Sequence, residues 1–150
     1  MAYDRIHKNI VLFGGSTVAA LFGYTWIWDG TNWIEQHPLH NPPNQTDVGM
    51  TYDENRQRVI LLGNNYLDGS ISTWSWDGQD WTRLETYQYP PYTMTVGGKL
   101  VYLPDLQTVV LINNYRQKVC SVDGCTFFPE EMQIWALTYR YLTFIPIISK

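Results

Sequence analysis

Few side chains in this 150-residue chain could do chemistry, and most of those sit at turns. His37 and His40 stand three apart in the segment HPLHNPP. The prolines make that segment a rigid loop rather than a helix, so the two imidazoles share no helical face on which to hold a metal. Asp29, Asp77 and Asp123 each precede a glycine. An Asp-Gly pair supplies the backbone angles of a tight hairpin turn, so these carboxylates read as turn formers and not as a general acid and base. The sequence holds no Ser-His-Asp arrangement, glycine phosphate loop or two-histidine motif, and no catalytic residue, metal or cofactor is expected from it.

The polar and aromatic residues least explained by packing lie between the apolar runs. They are Asn64, Asn65, Tyr66 and Asp68 in one stretch, Tyr92 (with Tyr87 and Tyr89) in a second, and Asn113, Asn114, Tyr115 and Arg116 in a third. Tyrosine and arginine anchor protein interfaces, and the same set with asparagine suits a carbohydrate, so these are the candidate partner- or ligand-binding residues. Cys120 and Cys125 flank the third Asp-Gly pair. A two-residue turn there sets Val122 opposite Cys125 and Cys120 opposite Phe127. The cysteines are then diagonal, at about 7–8 Å, the outer limit for a disulfide. Both a disulfide and two buried thiols are open at this point.

The elements that must carry these residues repeat three times. AYDRIHKNIVLFGG from Ala2, TYDENRQRVILLGN from Thr51 and VYLPDLQTVVLINN from Val101 are one pattern, an apolar run ending in small or amide residues. Each is followed by a hairpin: TWIWDGTNW from Thr25, TWSWDGQDW from Thr73 and VCSVDGCTF from Val119. A self-similar unit of roughly 45–50 residues built from short strands is the signature of a β-propeller blade, since one small sheet cannot bury both faces without stacked neighbours. A two-residue Asp-Gly turn sets Trp26 opposite Trp33, with Trp28 on the same face, and the second unit repeats this with Trp74, Trp76 and Trp81. Such faces read as packing between neighbouring units, because each large ring buries about 150–250 Å².

The expected architecture is all-β: a partial propeller of three four-stranded blades, at about 1–46, 47–95 and 96–130, plus a C-terminal half blade at 131–150. Pro146 lacks a backbone donor and belongs on an edge strand of that half blade. Closed propellers use about 4 to 8 blades, so this chain is expected to complete a ring by self-association or with another propeller chain. The composition is that of a packed protein, with 45% apolar, 15% aromatic and 16% charged residues. A formal net charge of −4 without a basic run argues against a nucleic acid partner. There is no run of 18 apolar residues to span a membrane, and the polar start of the chain does not read as a signal peptide.

At these residues the chain resembles the kelch repeat of the galactose-oxidase-like propellers. Gly14-Gly15 matches the glycine pair that ends the family's second strand, Gly63-Asn64 keeps half of it and Asn113-Asn114 keeps neither. Trp28-Asp29-Gly30 with Trp33, and Trp76-Asp77-Gly78 with Trp81, resemble a bacterial variant of the hairpin. The Arg and His that many kelch repeats carry before the inner strand are replaced by Asp47-Val48-Gly49 and Thr95-Val96-Gly97. The resemblance therefore implies a fold and no chemistry. The expected function is a non-catalytic protein-interaction or scaffold module; the alternative is a carbohydrate-binding, lectin-like propeller fragment with a glycan as partner.

Overall fold

The computed structural model describes residues 1–86, 99–115, 118–121, 124–127, 131–138 and 143–148. For 47, 113–115, 118–121, 124–127, 131–133, 138 and 143–148 it describes the backbone alone. The chain is all-β. Three four-stranded antiparallel sheets follow one another along the sequence. Sheet 1 runs β1 (Ala2–Asp4), β2 (Asn9–Ser16), β3 (Leu21–Trp28), β4 (Trp33–Gln36), with neighbours in sequence paired in space. Sheet 2 repeats this order with β5 (Gln45–Asp53), β6 (Arg58–Asn65), β7 (Ile71–Trp76) and β8 (Trp81–Leu84).

The third sheet departs from the repeat. β9 (Lys99–Leu103) and β10 (Thr108–Tyr115) pair as expected, but the hairpin of β11 (Lys118–Ser121) and β12 (Gly124–Phe127) forms a two-stranded sheet of its own. The outer places go instead to β13 (Glu131–Thr138) and β14 (Thr143–Ile148), giving the order β14-β13-β10-β9. The strands expected to open a fourth unit at 131–150 thus complete the third. Pro146 lies on β14 at the edge of that sheet, as its missing donor requires.

The turn from first to second strand is built alike in each unit. The Asp4 carboxylate accepts the N–H groups of Ile6 and His7, and that of Asp53 accepts those of Asn55 and Arg56. Lys8, Gln57 and Gln107 close the three turns with φ of 55°, 55° and 50°. In the third unit Leu103 stands in place of the aspartate, and a short 3-10 turn at Pro104–Leu106 does the same work.

The hairpin turns differ from the expected two-residue form. β3 pairs with β4 through Trp28↔Trp33, and β7 with β8 through Trp76↔Trp81, so each loop has four residues, 29–32 and 77–80. The aspartate at the start of each loop folds back: Asp29 Oδ1 accepts from the N–H groups of Thr31 and Asn32, and Asp77 Oδ1 from those of Gln79 and Asp80. Those bonds hold the Asp29 carboxyl below its usual range, the N–H of Asn32 first and that of Thr31 second. A four-residue loop shifts the pairing by two places, which changes the partners and preserves the face. Trp26, Trp28 and Trp33 remain on one side of sheet 1. In the third hairpin Ser121 pairs with Gly124 and Cys120 with Cys125, so the two cysteine backbones lie directly opposite and not diagonal.

Two apolar layers join the sheets. Val11, Phe13 and Ile27 of sheet 1 pack with Val59, Leu61, Trp76 and Trp81 of sheet 2. Ile60 and Leu62, on the other side of β6, pack with Leu100, Val109, Leu111 and Leu137 of sheet 3. Sheet 2 is therefore covered on both faces, and every residue of β6 from Val59 to Asn64 is buried. β2 has a similar apolar sequence but alternates, with Val11 and Phe13 buried and Ile10 and Leu12 partly exposed, because the described residues cover only one face of sheet 1.

Candidate functional site

The open face of sheet 1 is the counterpart of a buried face of sheet 2. Trp76 and Trp81 are 0% and 1% exposed, with ring centres 5.3 Å apart and planes at 47°. Trp28 and Trp33 hold nearly the same arrangement, 5.6 Å and 50°, yet Trp33 is 42% exposed. In the covered case Trp81 meets Phe13 edge-on at 5.6 Å and donates its indole N–H to Thr25 Oγ1 at 2.8 Å. Phe22 and Tyr24 stack at 5.6 Å further along the strand, and Tyr24 is exposed.

The same repeat locates one orphaned group. Thr73 occupies in sheet 2 the place of Thr25 in sheet 1, and its buried hydroxyl has no partner among the described residues.

Between sheets 1 and 2, at their outer rim, lies a cleft of about 540 Å³ lined by Leu39, His40, Asn41, Trp74, Trp81 and Arg83. One wall is the loop after β4. Its prolines limit its backbone freedom, and Pro42 is buried. Asp80 clamps it: the His40 backbone N–H donates to Oδ1 at 2.8 Å and the imidazole Nδ1–H to Oδ2 at 2.7 Å. The imidazole bond, and then the backbone bond, hold the Asp80 carboxyl below its usual range. Further on, Asn44 donates to the Leu21 carbonyl and accepts the Tyr66 N–H at its own carbonyl, tying the loop down again. The other wall is β8, where Arg83 sits opposite Trp74 across the β7–β8 ladder and so on the same face. Both indole N–H groups are already engaged, that of Trp74 with Ser72 Oγ at 3.1 Å and that of Trp81 with Thr25.

The residues singled out from sequence are spread more widely. Asn64 is not on a loop: it lies in β6, 1% exposed, opposite Thr46 and Ile71. Asn65 ends that strand and its Oδ1 accepts the Leu67 N–H. Tyr66 is 64% exposed and borders a small hollow of about 170 Å³ with residues 17–21. Asp68 is exposed and accepts the Ser70 N–H; the Ser70 hydroxyl first, and then that N–H, lower its carboxyl pKa. Asn113, Asn114 and Tyr115 belong to β10, where their backbones pair with Gln133, Met132 and Glu131, so they are strand and not loop residues. Tyr92 and Arg116 lie outside the described residues, as do the side chains of Cys120 and Cys125.

Sequence reasoning missed the cleft. Asp80 and His40 are 40 positions apart, and no local pattern joins them. The one signal was the proline-rich HPLHNPP segment, whose rigidity is what presents the wall.

Among the described residues the chain is a stack of antiparallel four-stranded sheets in which the tryptophan face of sheet 1 has no sheet against it. Neither the family models nor the curated proteins compared with this chain gave a match.

Proposed function

We propose that this chain is a kelch-type, galactose-oxidase-like propeller segment that acts as a non-catalytic interaction or scaffold module and completes its propeller by association. The observation that carries this reading is the Trp26–Trp28–Trp33 face of sheet 1. Its sheet 2 counterpart is buried against a neighbouring sheet with a T-shaped aromatic contact and an indole hydrogen bond. A pair of tryptophans held in that geometry with one ring left 42% exposed is a surface prepared for another sheet. The partner is a second copy of this chain or another propeller chain. It would offer Trp33 what Phe13 and Thr25 offer Trp81, an aromatic edge and a hydroxyl acceptor.

Sedimentation equilibrium over a range of concentrations tests the reading. It predicts a mass above that of one chain that rises with concentration. A single-chain mass throughout, together with no propeller protein recovered as partner, would overturn it.

A second reading, a carbohydrate-binding propeller segment, is favoured by the cleft at Trp74. There indole carbon, an amide and a guanidinium converge between two sheets, a common combination in small-molecule sites.

A further inference from the structure

The cleft beside Trp74 carries more than its size. Trp74 has given its N–H to the Ser72 hydroxyl, and the buried Trp81 has given its own to Thr25, so toward the cleft Trp74 offers carbon and π surface alone, which suits the apolar face of a ring. Arg83 is on the same face of the sheet as Trp74 and is exposed. Among the described residues it joins no ion pair; the carboxyl of Asp68 feels its charge without bonding to it. Asp80, the acid at the cleft wall, spends both oxygens on His40 and so does not compete for the guanidinium. That clamp also fixes the imidazole: with Nδ1 facing Asp80, the ring leaves Nε2 to meet a ligand hydroxyl. Asn41 supplies a further donor and acceptor.

The wall that carries these groups is held before any ligand arrives. Prolines restrict it, Asp80 grips it twice and Asn44 ties its far end. A preordered wall lowers the entropy lost on binding. The volume, about 540 Å³, lies within the roughly 300–1,000 Å³ of small-molecule sites.

We infer that this cleft binds a carboxylated sugar, a uronic-acid-type saccharide, with a pyranose ring against Trp74 and its carboxylate on Arg83. The inference rests on the carbohydrate reading above and adds to it the charge of the ligand and the residue that selects it. Arginine pairs with carboxylates through two parallel N–H···O bonds, a geometry that a neutral hydroxymethyl group cannot reproduce.

The test is a titration of the full chain, followed by indole and arginine NMR signals, with di-galacturonate, with its neutral counterpart di-galactose, and with benzoate as a flat acid that is not a sugar. The expected result is that di-galacturonate shifts the Trp74 indole and Arg83 resonances and binds at least about 10-fold more tightly than di-galactose. Arg83→Gln should abolish that difference, and Arg83→Lys should restore part of it. Arg83 is exposed, so both variants should fold, which an unchanged melting curve verifies. Equal binding of the two sugars, unaffected by Arg83→Gln, would overturn the inference and leave the carbohydrate reading standing. Benzoate binding as tightly as di-galacturonate would overturn the assignment to a sugar. The absence of any shift at Trp74 with all three probes would remove both.

Discussion

Trp33 and Trp81 occupy the same position of the repeat and carry the same side chain, yet they should behave as different residues. Trp81 is closed in by Phe13 and Thr25. Its replacement by alanine leaves a cavity and should cost about 3–5 kcal/mol in chemical denaturation. Trp33 is 42% exposed, and Trp33→Ala should cost the isolated chain only about 1 kcal/mol or less. From sequence both read as structural, because equivalence within a repeat says which face a residue takes and not whether a neighbour covers it. Thr25→Val should cost about 1–3 kcal/mol, since it strands the Trp81 N–H in a buried site. Asp80 gives a pH signature with a definite sign. Its carboxyl is held low by His40, so the clamp is intact above the usual carboxylate range and is lost as pH falls through the depressed value. The His40 amide resonance should therefore move below the pH at which a free carboxylate titrates. Movement within the ordinary carboxylate range would contradict the clamp.

Between elements, the turns decide which strand neighbours meet. The Asp-Gly pair signals a hairpin correctly, but the aspartate uses its carboxylate to close a four-residue loop, and this moved the pairing from Trp26↔Trp33 to Trp28↔Trp33. The face survived because the shift was by two. Gly30 and Gly78 take φ of 104° and 101° at matching places in these loops. Gly30 has open space around it, so Gly30→Ala should show the backbone strain alone, about 1–3 kcal/mol by thermal melting. Gly78→Ala should cost more, because the new methyl meets the His7 ring, which is bonded to Asp4. Equal losses at the two positions would refute this difference. The third hairpin was the least legible element. Its sequence keeps Asp123-Gly124 but loses the tryptophans, and in the structure β13 and β14 take the outer places beside β10. Nothing local in EMQIWALT announced that pairing, which is set between strands far apart in the chain.

Across the whole molecule, the all-β class and the order of strands in the first two sheets could be read directly from the repeat, since apolar runs and turn signals are local. The cleft could not, because it exists only where residues 39–41 and 80–83 are brought together by two stacked sheets. Burial along β6 and alternation along β2 mark the difference between a sheet with two neighbours and a sheet with one among the described residues. Tyr66 belongs to this scale too. It is exposed at the end of sheet 2, and Tyr66→Ala should leave melting nearly unchanged, whatever it does to binding. If the tryptophan face of sheet 1 is an interface, hydroxyl-radical footprinting of the tryptophan side chains at low and high protein concentration will show it. Oxidation of Trp28 and Trp33 should fall as concentration rises, while Trp76 and Trp81 stay protected throughout. Trp33 oxidised to the same extent at every concentration, and in the presence of every propeller protein offered as partner, would contradict it.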